Sequence, residues 1–145
     1  MPSVVYADSS VLIAWFWPDD IHGNAVNQWM IENPPVLAYN ALLRLEVRHA
    51  LRPIRRTSYG TAAWNCLRIA EASGGRLKGY KVDFLELIQS AELISHQHEG
   101  QIQCGSTDLI HVAAAIEEEA LFVTCDIAQA KAARLAKLDC VLIGA

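Results

Sequence analysis

The sequence predicts an α/β fold in which a central parallel sheet is flanked by helices, and three observations predict it. Short β-rich runs recur at VVYA (4–7), VLAY (36–39), LFVT (121–124) and CVLIG (140–144). Helical patterns fill the intervals, at about 10–17, 23–32, 40–52, 57–73, 82–98, 107–119 and 127–137. Breakers stand where helices should stop or strands begin: Pro34-Pro35, Pro53 and Gly74-Gly75. Strands alternating with helices in this way favour parallel pairing with helices on both faces.

Taken in order, Val4 to Ala7 read as a buried strand, and Val11 to Phe16 continue as an apolar helix until Pro18. VLAY follows the proline pair, and NALLRLEVRHAL forms the next helix up to Pro53. The stretch GGRLKGY (74–80) is the most loop-like. LFVT and CVLIG bracket the last helix. No internal repeat, low-complexity segment or interdomain linker interrupts the chain, so residues 1–145 are expected to form a single domain.

Composition narrows the function. The chain is 52% hydrophobic and 19% charged, so it should fold rather than stay disordered. A net charge of −4 gives no general basic field, and any nucleic-acid footprint must be local. The N-terminus lacks the cationic start of a signal peptide. Its apolar run is far shorter than the roughly 20 residues of a spanning helix. A cytoplasmic protein without membrane contact is therefore expected. Cys66, Cys104, Cys125 and Cys140 show no CxxC or short Cys/His spacing and read as small buried thiols, not zinc ligands. The five histidines are scattered and read as surface or core residues.

The informative feature is a set of carboxylates in apolar surroundings. Asp8 directly follows the first strand, where an ionised side chain is costly unless paired. Asp126 lies just beyond LFVT, and Asp108 opens the helix TDLIHVAAAI. Glu46 has Leu42, Leu43 and Ala50 at helical spacing and so interrupts an apolar stripe. Each acid has a structural explanation of its own. Asp126 with Gln129 could form a capping box, Asp108 suits a first helical turn, Asp8 could be a cap, and Glu46 could pair with a neighbouring Arg. Together they are harder to dismiss, because ligands of such sheets bind beyond the carboxyl ends of the strands. Converging acids repel by about 4 kcal/mol per pair at about 4 Å in an effective dielectric near 20. Convergence therefore calls for raised pKa values or a cation, and an all-oxygen set favours Mg2+ or Mn2+.

At this point VYADSSVLIAWF, Glu46 in LLRLEVRHAL, Asp108 in STDLIHVAAAI and Asp126 in LFVTCDIAQAKAARLA together resemble the PIN domain, and most closely its VapC-type toxins. The resemblance runs from residue 3 to about residue 143. It implies a three-layer PIN-like fold and Mg2+-dependent endoribonuclease action, with Mn2+ able to substitute. It also implies a homodimer silenced by a small antitoxin. By resemblance Asp8, Glu46, Asp108 and Asp126 become the catalytic, metal-holding cluster, with Ser10 and Thr124 as supporting hydroxyls. Ile127 and Gln129 stand where some relatives carry a further acid, which would leave a second metal weakly held.

Arg44, Arg48, Arg52 and Arg55 follow helical spacing on the element that carries Glu46, and Arg56 extends the cluster. The face reads as a solvated surface, a phosphate-contacting rim for RNA, or an antitoxin contact. Trp15, Trp17, Trp29 and Trp64 read as core or dimer contacts. The competing function is a PIN-like binding or regulatory subunit without turnover, which the presence of all four acids disfavours. A phospho-receiver is excluded: VLAYN ends in Asn40, not Asp, and no Lys follows the last strand.

Overall fold

The computed structural model describes residues 4–17 and 19–144. The expected break at Pro18 and the outer ends of the 1–145 span fall outside the described residues. The element order is β1 (Val5–Ala7), α1 (Ser9–Phe16), α2 (Gly23–Glu32), β2 (Leu37–Tyr39), α3 (Ala41–Leu51), a 3-10 turn (Arg52–Ile54) and α4 (Ser58–Glu71). Then come β3 (Leu77–Gly79), α5 (Phe84–Gln97), α6 (Ser106–Glu117), β4 (Leu121–Thr124), α7 (Ile127–Leu135) and β5 (Cys140–Leu142).

All strand pairs are parallel, in the order β3-β2-β1-β4-β5. The chain leaves β1 to lay β2 and β3 on one side, then returns to lay β4 and β5 on the other. Right-handed crossovers running in opposite directions place their helices on opposite faces. Accordingly α1 packs on α2, α3 and α4, whereas α6 packs on α5 and α7. The sheet is thus the middle of three layers, and β1 is its topological switch point.

The core follows from helical spacing. Leu43, Val47 and Leu51 recur every four residues along α3 and are buried, each contributing roughly 1.5–3 kcal/mol. In α6, His111 to Ala115 are all buried, and three successive alanines let neighbouring elements approach closely. At the other end of α3, Gly60 lies so close beneath the 3-10 turn that a Cβ would fall 1.6 Å from the Ile54 carbonyl oxygen. Trp64, one helical turn further along α4, lies against Arg48 of α3 and against Arg52 and Arg55 of the turn that follows it.

The segment 74–80, expected to be a loop, contains edge strand β3. Only Leu77 of its three residues is buried, while Lys78 and Gly79 are exposed. One buried side chain gives no period-2 pattern, and an exposed Lys suits an edge.

Candidate functional site

The acids come from different elements that all end or begin at the carboxyl edge of the sheet. Asp8 follows β1 and caps α1, accepting the Val11 amide at 3.1 Å. Asp126 follows β4 by one residue and caps α7 through the Gln129 amide at 3.0 Å. Asp108, in the first turn of α6, reaches back to the Gly105 amide at 3.1 Å. Glu46 stands in the middle of α3. Asp and Asn occupy these cap positions because a short acceptor side chain satisfies the orphan amides of a first turn.

Asp8 is 2% exposed. Two hydroxyls serve it in the same way. The Cys125 amide donates to Ser10 Oγ at 3.3 Å, and Ser10 Oγ donates to Asp8 Oδ1 at 2.5 Å. The Asp126 amide donates to Thr124 Oγ1 at 3.0 Å, and Thr124 Oγ1 donates to Asp8 Oδ2 at 2.5 Å. Backbone amides of the β4–α7 turn thus occupy each hydroxyl as acceptor and turn its proton toward the carboxylate. Burial pushes the Asp8 carboxyl above its ordinary range, against the lowering effect of these donors.

Asp108 is also raised, first by burial, then by the charges of Asp126 and Glu46, while the Gly105 amide pulls it down. The three acids therefore share one electrostatic neighbourhood. One oxygen of Asp108, Asp126 and Glu46 is held, and the other has no protein donor among the described residues. Among the described residues no three His, Cys, Asp or Glu side chains stand close enough together to hold a metal ion as they are placed. The donor set itself suits a hard cation: all oxygen, partly desolvated and mutually repelling. The nearby thiols do not compete, since burial first, and then Asp8 or Asp108, pushes Cys125 and Cys104 up to about 11.

Glu46 does not pair with an arginine. Its carboxylate bonds to Nε2 of His111, which is 1% exposed and lies one turn from Asp108 on α6. The Nδ1 atom of His111 meets Tyr6 Oη at 2.7 Å, and Asn40 Nδ2 donates to the same Tyr6 oxygen at 2.9 Å. Tyr6, Asn40 and His111 carried no site role in the sequence, where Tyr6 read as part of a buried strand and His111 as a surface or core histidine. Only Asn40 carried a local signal, as a cap residue between strand and helix. Gln129 does not close a capping box: its side chain donates to the Asp108 carbonyl at 3.3 Å, tying α7 to α6.

The arginines do not form one free face. Arg48 makes a bidentate pair with Glu71 at 2.6 and 3.1 Å, and Tyr39 Oη donates to the same carboxylate at 2.6 Å. Arg48, Arg52 and Arg55 converge on the Trp64 ring at 5.7, 5.7 and 5.9 Å. Arg44 lines a groove with Leu45, Arg48, His49 and Arg52. All four tryptophans are partly buried against the core. Contrary to the expectation of buried thiols, Cys66 is exposed and Cys104, Cys125 and Cys140 are only partly buried.

A five-stranded parallel sheet between two helical layers, with an acid directly after β1 at its switch point, defines the class as a three-layer α/β protein. Residues 5–135 match the PIN domain family, and the chain belongs to that family. No curated protein sequence matches it. Among solved structures it is similar to Mycobacterium tuberculosis VapC20, a toxin that cleaves the sarcin-ricin loop, with 14% identity, TM-score 0.61, and coverage of 90% of this chain and 94% of the other. It is also similar to FitAcB from Neisseria gonorrhoeae, with 14% identity, TM-score 0.68, and coverage of 94% and 95%. The third is VapBC2 from Rickettsia felis bound to a DNA fragment from its promoter, with 14% identity, TM-score 0.67, and coverage of 97% and 98%. At this identity the likeness is one of fold. No described helix is long and apolar enough to cross a membrane.

Proposed function

We propose that this protein is the toxin of a toxin–antitoxin pair, acting in the cytoplasm as a Mg2+-dependent endoribonuclease in which Mn2+ can substitute. The observation that carries the reading is Asp8: a buried carboxylate with two hydroxyls aimed at it, at the switch point of a PIN domain sheet. Asp8, Glu46, Asp108 and Asp126 hold the cation, and Ser10 and Thr124 fix the Asp8 oxygens. When bound, a divalent ion lowers the pKa of a water nucleophile and neutralises charge on the leaving oxygen of a phosphodiester. The chain itself supplies oriented carboxylates and a water-accessible edge, and needs no covalent nucleophile.

The test is cleavage of a total RNA pool by the purified chain with Mg2+, with Mn2+ and with chelator. Metal-dependent cleavage that disappears in Asp8→Asn is expected. A folded protein that binds the cation but leaves RNA intact would favour the non-catalytic binding subunit instead. The toxin structures that resemble this fold, two of them from FitAcB and VapBC2, support a small cognate antitoxin as partner. Expression of the chain alone should slow growth, and co-expression of a small cognate antitoxin should relieve it. A homodimer is the expected state, measured as mass by light scattering.

A further inference from the structure

We propose that Asn40, Tyr6 and His111 are positioning residues for Glu46, forming a one-way hydrogen-bond relay that fixes the imidazole tautomer and so aims the carboxylate. The inference rests on the reading of Glu46 as a cation ligand.

The direction of the relay follows from counting donors. Asn40 caps α3, and its Oδ1 accepts the Leu43 amide at 3.0 Å. That bond fixes which end of the amide faces the helix, so Nδ2 points the other way and donates to Tyr6 Oη. The Tyr6 oxygen is thereby engaged as an acceptor. Its single proton, in a residue 1% exposed, has His111 Nδ1 as its partner at 2.7 Å. Nδ1 must then be the unprotonated nitrogen, and the ring hydrogen sits on Nε2, where it is donated to Glu46. The reverse tautomer would strand the Tyr6 proton in the core, at a cost of about 1–3 kcal/mol.

A buried histidine needs only satisfied nitrogens, but this one spends its outward nitrogen on a part-exposed carboxylate at the acidic edge of the sheet. Asp108 and His111 are three residues apart on one face of α6. That helix therefore presents one acid directly and holds a second, from α3, through the imidazole. With Oε1 held by His111, Oε2 is the Glu46 oxygen left to meet a cation. Tyr6 lies on β1 immediately before Ala7 and Asp8, so the relay also ties Glu46 to the strand that delivers Asp8.

Two measurements on the full chain test this. Ring-nitrogen NMR of the metal-free protein should place the His111 hydrogen on Nε2, and a hydrogen on Nδ1 would overturn the relay. Titration with Mn2+ alone should show Tyr6→Phe and His111→Leu binding about 10–100-fold more weakly than the wild type. His111→Gln, which keeps an amide donor toward Glu46, should recover most of that loss. Normal Mn2+ affinity in folded Tyr6→Phe and His111→Leu would overturn the positioning role while leaving the metal site standing. Failure of the wild type itself to bind Mn2+ would overturn the metal reading, and the positioning role with it. Should His111→Leu not fold, Tyr6→Phe and the wild-type spectrum decide the question.

Discussion

Thr124 and Asp8 face each other across the β1–β4 seam, and the Thr124 hydroxyl bonds to Asp8 Oδ2 at 2.5 Å with no exposure to solvent. Thr124 Oγ1 itself accepts the Asp126 amide, so one hydroxyl fixes a strand end, a helix cap and a buried acid together. Thr124→Val keeps the shape but removes both roles, leaving a buried carboxylate oxygen and an amide short of partners. It should cost about 1–3 kcal/mol at neutral pH by chemical denaturation, together with most RNA cleavage. Thr124→Ser, which keeps the hydroxyl, should retain most of both. Equal stability of the Val and Ser variants would argue that this hydroxyl contributes little.

Asp8→Asn separates a cap from a metal ligand. Asn caps as well as Asp does, and its carbonyl can keep the Val11 and Ser10 bonds. Its amide would face Thr124, whose hydroxyl can turn to Gln129 Oε1, 3.5 Å away. The metal-free variant should therefore melt at the same or a higher temperature, because a buried charge is gone. A tenfold loss of Mn2+ affinity would remove about 1.4 kcal/mol of metal-induced stabilisation. A full Mn2+ shift in the variant would sink the assignment of Asp8 as a ligand. The pH dependence has a matching sign. Burial raises the folded-state pKa of Asp8 above its ordinary 3.8, and burial with the neighbouring acids does the same for Asp108. Their contribution is fully present below 3.8 and is lost as pH rises through the raised values. Metal-free Asp8→Asn should thus gain on metal-free wild type as pH rises above 3.8 through the raised value of Asp8, a difference that paired thermal melts over a pH series would show.

How much of this was legible in the sequence differs between fold and site. β1, β2, β4 and β5 announce themselves because parallel strands covered on both faces are continuous apolar runs. β3 does not, because only Leu77 is buried there. The acids were visible one by one as carboxylates out of place. Their partners were not, since Tyr6 and His111 are 105 residues apart and Glu46 and His111 are 65 apart. Such pairings exist only once the strand order is known. The arginines misled for a similar reason. Helical spacing showed a shared face, but not that Glu71 and Trp64 of the next helix would occupy it.

Glu71 clamps three elements, and its removal should be felt in stability before function. Burial would raise its carboxyl, but the hydrogen bonds from Arg48 and Tyr39, with the arginine charge, outweigh that and hold it below its ordinary 4.5. The contribution is present above 4.5 and is lost as pH falls through the lowered folded-state value. Glu71→Ala leaves a guanidinium and a phenol without their acceptor and should cost about 1.5–3 kcal/mol at neutral pH. The penalty should shrink in acid, where the wild type also loses the pair. A pH-independent penalty would point to lost packing as its source.

Arg52 and Arg55 test whether the cationic rim belongs to RNA. Unlike Arg48, neither has a carboxylate partner among the described ion pairs, and both rest on Trp64. Stacking on an aromatic ring orients a guanidinium without neutralising it, so each remains available to a phosphate. Removing a phosphate contact from a single-stranded RNA complex lowers the slope of log affinity against log salt by about 0.7. Arg52→Gln with Arg55→Gln, placed in an Asp8→Asn background to prevent cleavage, should therefore flatten that slope by about 1.4 in total. Melting temperature should stay nearly unchanged, because exposed cations contribute little to folding. Fluorescence anisotropy of labelled RNA over a salt series gives the slope directly. An unchanged slope, with loss of antitoxin binding in the same double variant, would assign the rim to the protein partner instead.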